Sequence, residues 1–352
     1  MTAFFPSASR PRPFQGSPRQ ARISRRQFLS CLPPLGTALL PAAGINALQV
    51  QPAQAHAVMP ERPHFPLPAL AKDTSPVVLP NSYQLDVQDA AGHPRRIFVA
   101  VPPQPGPATG YPVLVTTDAN VLFGLFAALM RQQAIRPDPL SAVTPVIVGI
   151  GYPLTFTDSL PLRKRDYTID APPSARALNG GADNLLDFIQ HTLQPWLAQQ
   201  LPINPRCQAL FGHSYGGLFA LYALFTRPSM FRAYTAASPS IWWNDRIVLQ
   251  YARRFIEHPP SRAAATPPHL LLTAGSLEED APQPDAERRQ RQQQNRMVSS
   301  ARDLFAMLQA RSGIQSRFVL LDGEDHGSVT TRSAALALRE LAHMALAHKE
   351  HA

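Results

Sequence analysis

The sequence predicts an α/β fold: a mostly parallel central sheet with helices on both faces. Three observations carry that expectation. From residue 113 to residue 346, short dense apolar runs alternate with longer runs whose apolar residues recur every three or four positions. One short run, Ala209-Leu210-Phe211, leads directly into Gly212-His213-Ser214-Tyr215-Gly216-Gly217 and then into the helix-compatible run Leu218 to Phe225. A G-x-S-x-G at a strand-to-helix junction is a nucleophile elbow, a tight turn that pushes a serine hydroxyl into a crevice at the carboxyl edge of a sheet. Finally, 352 residues, 45% of them apolar, can bury a large core.

The chain opens with 57 residues that hold six arginines and no carboxylate. Ser24-Arg25-Arg26-Gln27-Phe28-Leu29 has the pattern of a twin-arginine export signal, and Ala55-His56-Ala57 offers a small-x-small cleavage site. Residues 1–57 are therefore read as a leader that engages the twin-arginine export machinery and delivers the protein to the periplasm. Residues 58–80 are a Pro-rich extended lead-in, and 81–352 a single domain. Without the leader, 27 basic residues face 24 acidic ones, so the formal charge of +9 falls to about +3. That balance argues against a nucleic acid partner. No run reaches 18 apolar residues, so no stable membrane insertion is expected after cleavage. Cys207 alone survives in the mature chain, which excludes an internal disulfide and suits a packing role.

Tyr83 to Val87 and Arg96 to Val101 read as antiparallel strands around the turn Ala90-Ala91-Gly92-His93-Pro94. Val113 to Thr117 and Val146 to Ile150 are apolar enough for burial on both faces, with a helix between them at Gly124 to Gln133. Gly180-Gly181-Ala182-Asp183-Asn184 opens a helix whose Leu185, Phe188, Ile189, Leu193 and Trp196 line one face. After the elbow come strands at Ala233 to Ala237, His269 to Thr273 and Arg317 to Leu321. Helices are expected at Arg246 to Ile256, Gln294 to Gln309 and Arg332 to Leu346. The charged, glutamine-rich stretch Glu278 to Gln294 is a surface excursion or a polar extension of the following helix, not an apolar lid.

A serine attacks only when a base removes its proton, so a histidine is required downstream of Ser214. His326, in Gly323-Glu324-Asp325-His326-Gly327-Ser328, follows the last strand, and loops after parallel strands open on the edge that carries the elbow. His213 adjoins the serine but points elsewhere, His191 lies within a helix, and His343, His348 and His351 belong to the terminal tail. The acid that orients the imidazole belongs on the loop after the preceding strand, Ala274-Gly275-Ser276-Leu277-Glu278-Glu279-Asp280. Glu278 is the choice there, with Glu279 and Asp280 as competitors. Glu324 and Asp325 are tied to the histidine turn. An oxyanion needs two donors: the backbone N–H of Tyr215 is one, and that of Ala119 or Asn120, in the loop after Val113 to Thr117, is the other. Asp118 and Asn120 can also cap the next helix.

These motifs resemble the α/β-hydrolase superfamily and, within it, the enterobactin-esterase-like group, which includes periplasmic esterases that open the trilactone of catecholate siderophores. The resemblance spans Ser82 to Leu346. It rests on Tyr111-Pro112-Val113-Leu114 with Asp118-Ala119-Asn120, Gly149-Ile150-Gly151-Tyr152-Pro153, Arg165-Asp166-Tyr167-Thr168 and Gly180-Gly181-Ala182. The elbow, Ser238-Pro239-Ser240-Ile241-Trp242-Trp243 and Asp325-His326-Gly327-Ser328 complete it. The group's Gly-Glu-Leu-Glu pattern aligns the acid with Glu278, although Ser276 stands where the first glutamate would be. Its Asp-Gly-Asn becomes Asp118-Ala119-Asn120.

The implied activity is a serine esterase acting on a ferric or iron-free catecholate siderophore. Arg163, Arg165, Tyr152, Trp242 and Trp243 would supply the positive charge and aromatic surface that an anionic, aromatic ligand requires, while Lys164 reads as solvated surface charge. Iron would then be part of the substrate. The chain has neither H-E-x-x-H nor paired cysteines, so no metal or cofactor is expected. The alternatives are an exported carboxylesterase for small acyl esters and a siderophore-binding protein without turnover.

Overall fold

Eight strands make one sheet in the order β1-β2-β4-β3-β5-β6-β7-β8 in the computed structural model, which describes residues 77–169, 179–259, 267–281, 285–311 and 314–350. The strands are β1 (Ser82–Gln88), β2 (Pro94–Ala100), β3 (Tyr111–Thr116), β4 (Val146–Gly151), β5 (Ile203–His213), β6 (Ala233–Ala237), β7 (His269–Gly275) and β8 (Gln315–Leu321). β1 and β2 form the expected hairpin, and β2 also runs antiparallel to β4. Every pairing from β4 through β3 to β8 is parallel. β3, β4 and β6 are buried along their whole length, as expected of strands clothed on both faces. The leader and most of the Pro-rich run lie outside the described residues.

Helices cover both faces. Ile97, Val113, Val115, Val148 and Leu210 look toward one apolar cluster with α3 (Ala182–Phe188), α4 (Gln194–Gln200), α5 (Tyr215–Thr226), α6 (Val248–Glu257) and α8 (Met297–Arg311). Leu114, Ile147, Ala209 and Phe211 look toward the other, with α1 (Ala119–Ala134) and α9 (Val329–Glu350). Alternate residues of β3, β4 and β5 thus feed opposite cores, as the two-residue period of a strand requires. α5 lies wholly in the core from Gly216 to Phe225, which explains why its sequence is apolar all round rather than striped. Cys207 is buried, and burial pushes its thiol up to about 12, consistent with packing.

Three elements depart from the expectation. α1 begins at Ala119, five residues before Gly124, so Ala119 and Asn120 belong to its first turn. α2 (Phe156–Tyr167) was not expected, because Pro161 sits inside it and charged residues interrupt its period; Thr155 starts it by accepting the N–H of Asp158. The polar stretch forms its own helix, α7 (Ala286–Asn295), separated from α8 by Arg296 at φ 46°. The helix from Ala182 widens into a π turn at Ile189–Leu193, where Pro195 has no N–H to offer.

Candidate active site

Ser214 sits between β5 and α5 at φ 59° and ψ −115°, a backbone conformation that costs a non-glycine residue energy and persists only where the surroundings enforce it. The enforcement is visible. Ser214 N–H donates to Ala237 C=O at 3.0 Å, and Ser214 C=O accepts from the N–H of Ser240 and of Leu218, each at 3.0 Å. A Cβ on Gly212 would collide with the Gly216 carbonyl, and one on Gly216 with the Thr117 hydroxyl. Both glycines are therefore required by close approach of strand, helix and neighbouring loop.

His326 stands on the loop after β8 with Nε2 3.0 Å from Ser214 Oγ. Its Nδ1 lies 3.6 Å from Glu278 Oε1, an ion-pair distance that is too long for a hydrogen bond. Glu278 is buried on the helical turn Leu277–Asp280, where Oε1 accepts the hydroxyl proton of Ser238 and Oε2 has no hydrogen-bond partner among the described residues. Glu279 instead caps α8 through the N–H and hydroxyl of Ser299. Of the three candidate carboxylates, Glu278 is the one that faces the imidazole. Glu324 pairs with Arg332. Asp325 accepts the N–H groups of Ser328 and Gly327, each at 2.8 Å, and these hold its carboxyl below the usual range while shaping the histidine turn. The acid and histidine loops touch because Gly275 has no Cβ to strike the Glu324 carbonyl.

Tyr215 is the first residue of α5, and Ala119 and Asn120 are the first two of α1, where a helix has no internal acceptor for N–H groups. Both helices so point donors and the positive ends of their dipoles from the strand edge that carries Ser214. Asp118 precedes Ala119 at φ 55°. Its carboxylate does not cap α1; it takes two hydrogen bonds from Arg163, at 2.6 and 3.1 Å. The Asp118 N–H donates to the Tyr167 hydroxyl at 3.0 Å. The Asn120 side chain accepts from Tyr152 N–H and donates to the carbonyls of Tyr152 and Leu154, locking the loop after β4.

The Esterase family model matches residues 89–313. The chain belongs to this family. The ferri-bacillibactin esterase BesA of Bacillus subtilis is 35% identical over 258 residues, covering 70% of this chain and 84% of the relative. The siderophore enterobactin esterase of Emericella nidulans is 41% identical over 237 residues, 60% of this chain and 76% of the relative. Among solved structures, the siderophore hydrolase EstA of Aspergillus nidulans superposes with a TM-score of 0.68 at 31% identity, covering 77% of this chain and 98% of its own.

Within the esterase, three expected substrate contacts face inward. Tyr152 is buried, with its hydroxyl on Asp166 at 2.8 Å. Arg165 pairs with the same carboxylate at 2.7 Å, as does the fully buried Arg95 at 2.6 Å. Arg163 is committed to Asp118 and to the His213 carbonyl, between the rings of Tyr167 and Tyr215. Arg163 and Tyr167 thus buttress the loop at Asp118, and Arg165 is taken up by Asp166. Lys164, read from sequence as ordinary surface charge, is the exposed cation, and its ammonium lies 5.6 Å above the Trp243 ring. Trp242 and Trp243 are half-buried around Tyr215, with Trp243 Nε1 donating to the Ile169 carbonyl. His213 was expected to point away; its Nε2 lies 2.8 Å from the His326 carbonyl. Strand alternation carried the missed signal. His213 shares a face with Phe211, the face on which α9 packs, and the histidine loop leads into α9.

Proposed function

We propose that the protein is an exported serine esterase that hydrolyses the ester bonds of a catecholate siderophore trilactone and so assists iron release. The observation that carries the proposal is the 3.0 Å contact between Ser214 Oγ and His326 Nε2 beside the first turns of α5 and α1. Ser214 attacks the carbonyl carbon while His326 Nε2 takes its proton. Negative charge moves to the carbonyl oxygen, toward the N–H groups of Tyr215 and of Ala119 or Asn120. Collapse of the tetrahedral intermediate breaks the ester C–O bond, and the imidazolium returns the proton to the leaving alkoxide. Water, deprotonated by His326, then frees the acyl group from Ser214. Glu278 faces Nδ1 and stabilises the imidazolium at a distance.

The substrate class draws on two kinds of support. The relatives named above carry siderophores in their names, and Lys164, Trp242, Trp243 and Tyr215 combine a cation with aromatic surface next to the nucleophile. Such a rim suits an anionic, aromatic ligand. Export rests on the twin-arginine pattern at Arg25-Arg26.

Specificity constants for a cyclic trilactone, its linear trimer and a simple aryl ester test the reading. The trilactone is expected to exceed the aryl ester by more than leaving-group reactivity explains. Equal constants after that correction favour a general carboxylesterase. Ser214→Ala is expected to remove hydrolysis of all three while leaving the fold intact. Affinity for the trilactone without turnover in the unmodified protein points instead to a binding protein.

A further inference from the structure

We propose that His213 is a positioning residue: its ring N–H holds the main chain of His326 so that the imidazole stays on Ser214. The inference rests on the Ser214–His326 reading above. A carbonyl oxygen only accepts, so the 2.8 Å contact between His213 Nε2 and the His326 carbonyl requires the proton to sit on Nε2 of His213. The two rings also lie face to face at a tilt, with centroids 4.7 Å apart and planes at 41°. Burial, with the nearby His326 and Arg163 adding to it, pulls the His213 ring down to about 3, so it stays neutral and remains a one-proton donor near neutral pH.

His213 is anchored where it needs to be. It ends β5 in register with Ala237 of β6, and its own carbonyl accepts from Arg163 at 3.3 Å. Arg163 in turn grips Asp118 of the oxyanion loop. One run of contacts, Asp118 to Arg163 to His213 to His326, therefore ties the oxyanion loop, the elbow and the histidine loop together.

The tie matters because the acid is poorly placed to supply it. Glu278 Oε1 is 3.6 Å from His326 Nδ1 and already accepts the Ser238 hydroxyl. The His326 side chain is 48% exposed on a surface loop. The Asp325 turn holds the residues on either side of His326. Loss of the His213 donor therefore removes the hydrogen bond on the His326 carbonyl and lets the imidazole shift, and displacement of a catalytic group by about 1 Å can cost about 100-fold in rate.

The test compares H213F, which keeps a flat ring but has no donor, with H213Q, whose amide N–H can replace Nε2–H. On an aryl ester, H213F is expected to lose about 10- to 100-fold in kcat with KM within about twofold, and H213Q to recover to within about threefold of the unmodified enzyme. Recovery by glutamine is the readout that simple packing would not produce. H213F with unchanged kcat, or H213Q no better than H213F, overturns the proposal. If H213F does not fold, H213N, too short to reach the carbonyl, replaces it in the same comparison. S214A is run alongside: activity surviving in S214A sinks the esterase reading itself, whereas a dead S214A beside a fully active H213F sinks only the role of His213.

Discussion

Ser214 and His326 lie 112 positions apart in the chain and 3.0 Å apart in space. The serine is held by its strained turn and the His326 carbonyl by His213, so the proposed mechanism leans on backbone anchoring more than on the acid. Glu278→Gln is accordingly expected to lower kcat by about 10- to 100-fold, well short of the roughly 10⁴-fold or greater loss expected of His326→Ala. Steady-state kinetics on one aryl ester measure both. Equal losses in the two variants would show that the carboxylate is indispensable in spite of its 3.6 Å separation. Ser214, His326 and Glu278 are reached from residue types and chain order, because the proposed chemistry calls for a nucleophile, a base and an acid at the ends of parallel strands, and the fold brings the three side chains near one another. His213 could not be found that way, since no reaction step calls for it.

At the scale of elements, α2 does the most that the sequence hid. Its Arg163 and Tyr167 brace the loop at Asp118, Arg165 pairs with the neighbouring Asp166, and its outward Lys164 stands over Trp243. A run of four residues containing three cations reads as a charged patch until the helix sorts them by face, and Pro161 conceals the helix. Lys164→Ala is expected to raise KM for an anionic catecholate ester by about three- to tenfold and to leave KM for a neutral aryl ester unchanged. Parallel KM measurements decide it; equal shifts for both esters would remove Lys164 from recognition. The strands were far more legible. Dense, short, β-branched runs such as Val113 to Val115 and Val146 to Val148 suit a sheet buried on both faces, where the structure places them. Boundaries were less so. β5 starts at Ile203, before Pro205 and Arg206, because its first residues pair at the rim through a register shift against β3.

Among the described residues, burial leaves two histidines that resist protonation. His213 is pulled down to about 3 and His269 to about 4, in each case chiefly by burial, from an ordinary 6.5. As pH falls below 6.5 the unfolded chain takes up protons that the native state refuses. The stabilising contribution is thus fully present above about pH 6.5 and is lost as pH falls through the folded values. Urea unfolding should show a lower midpoint at pH 5 than at pH 7, and H213Q should show a smaller drop; an identical drop would contradict neutral burial of that ring. The order of elements and the sheet were readable from the alternation of periods, since a parallel sheet needs its crossovers whatever the substrate. Which cations face the rim is set by side-chain directions that the folded chain displays: Lys164 is exposed, whereas Arg163 and Arg165 pair with Asp118 and Asp166. The most direct test of the account is mass spectrometry of the products formed from ferric and iron-free siderophore trilactone, with Ser214→Ala as the control. Ring-opened products gaining one water per bond cut, absent with the variant, are predicted. An intact trilactone after incubation with folded enzyme, or the same products from the Ser214→Ala protein, would contradict it.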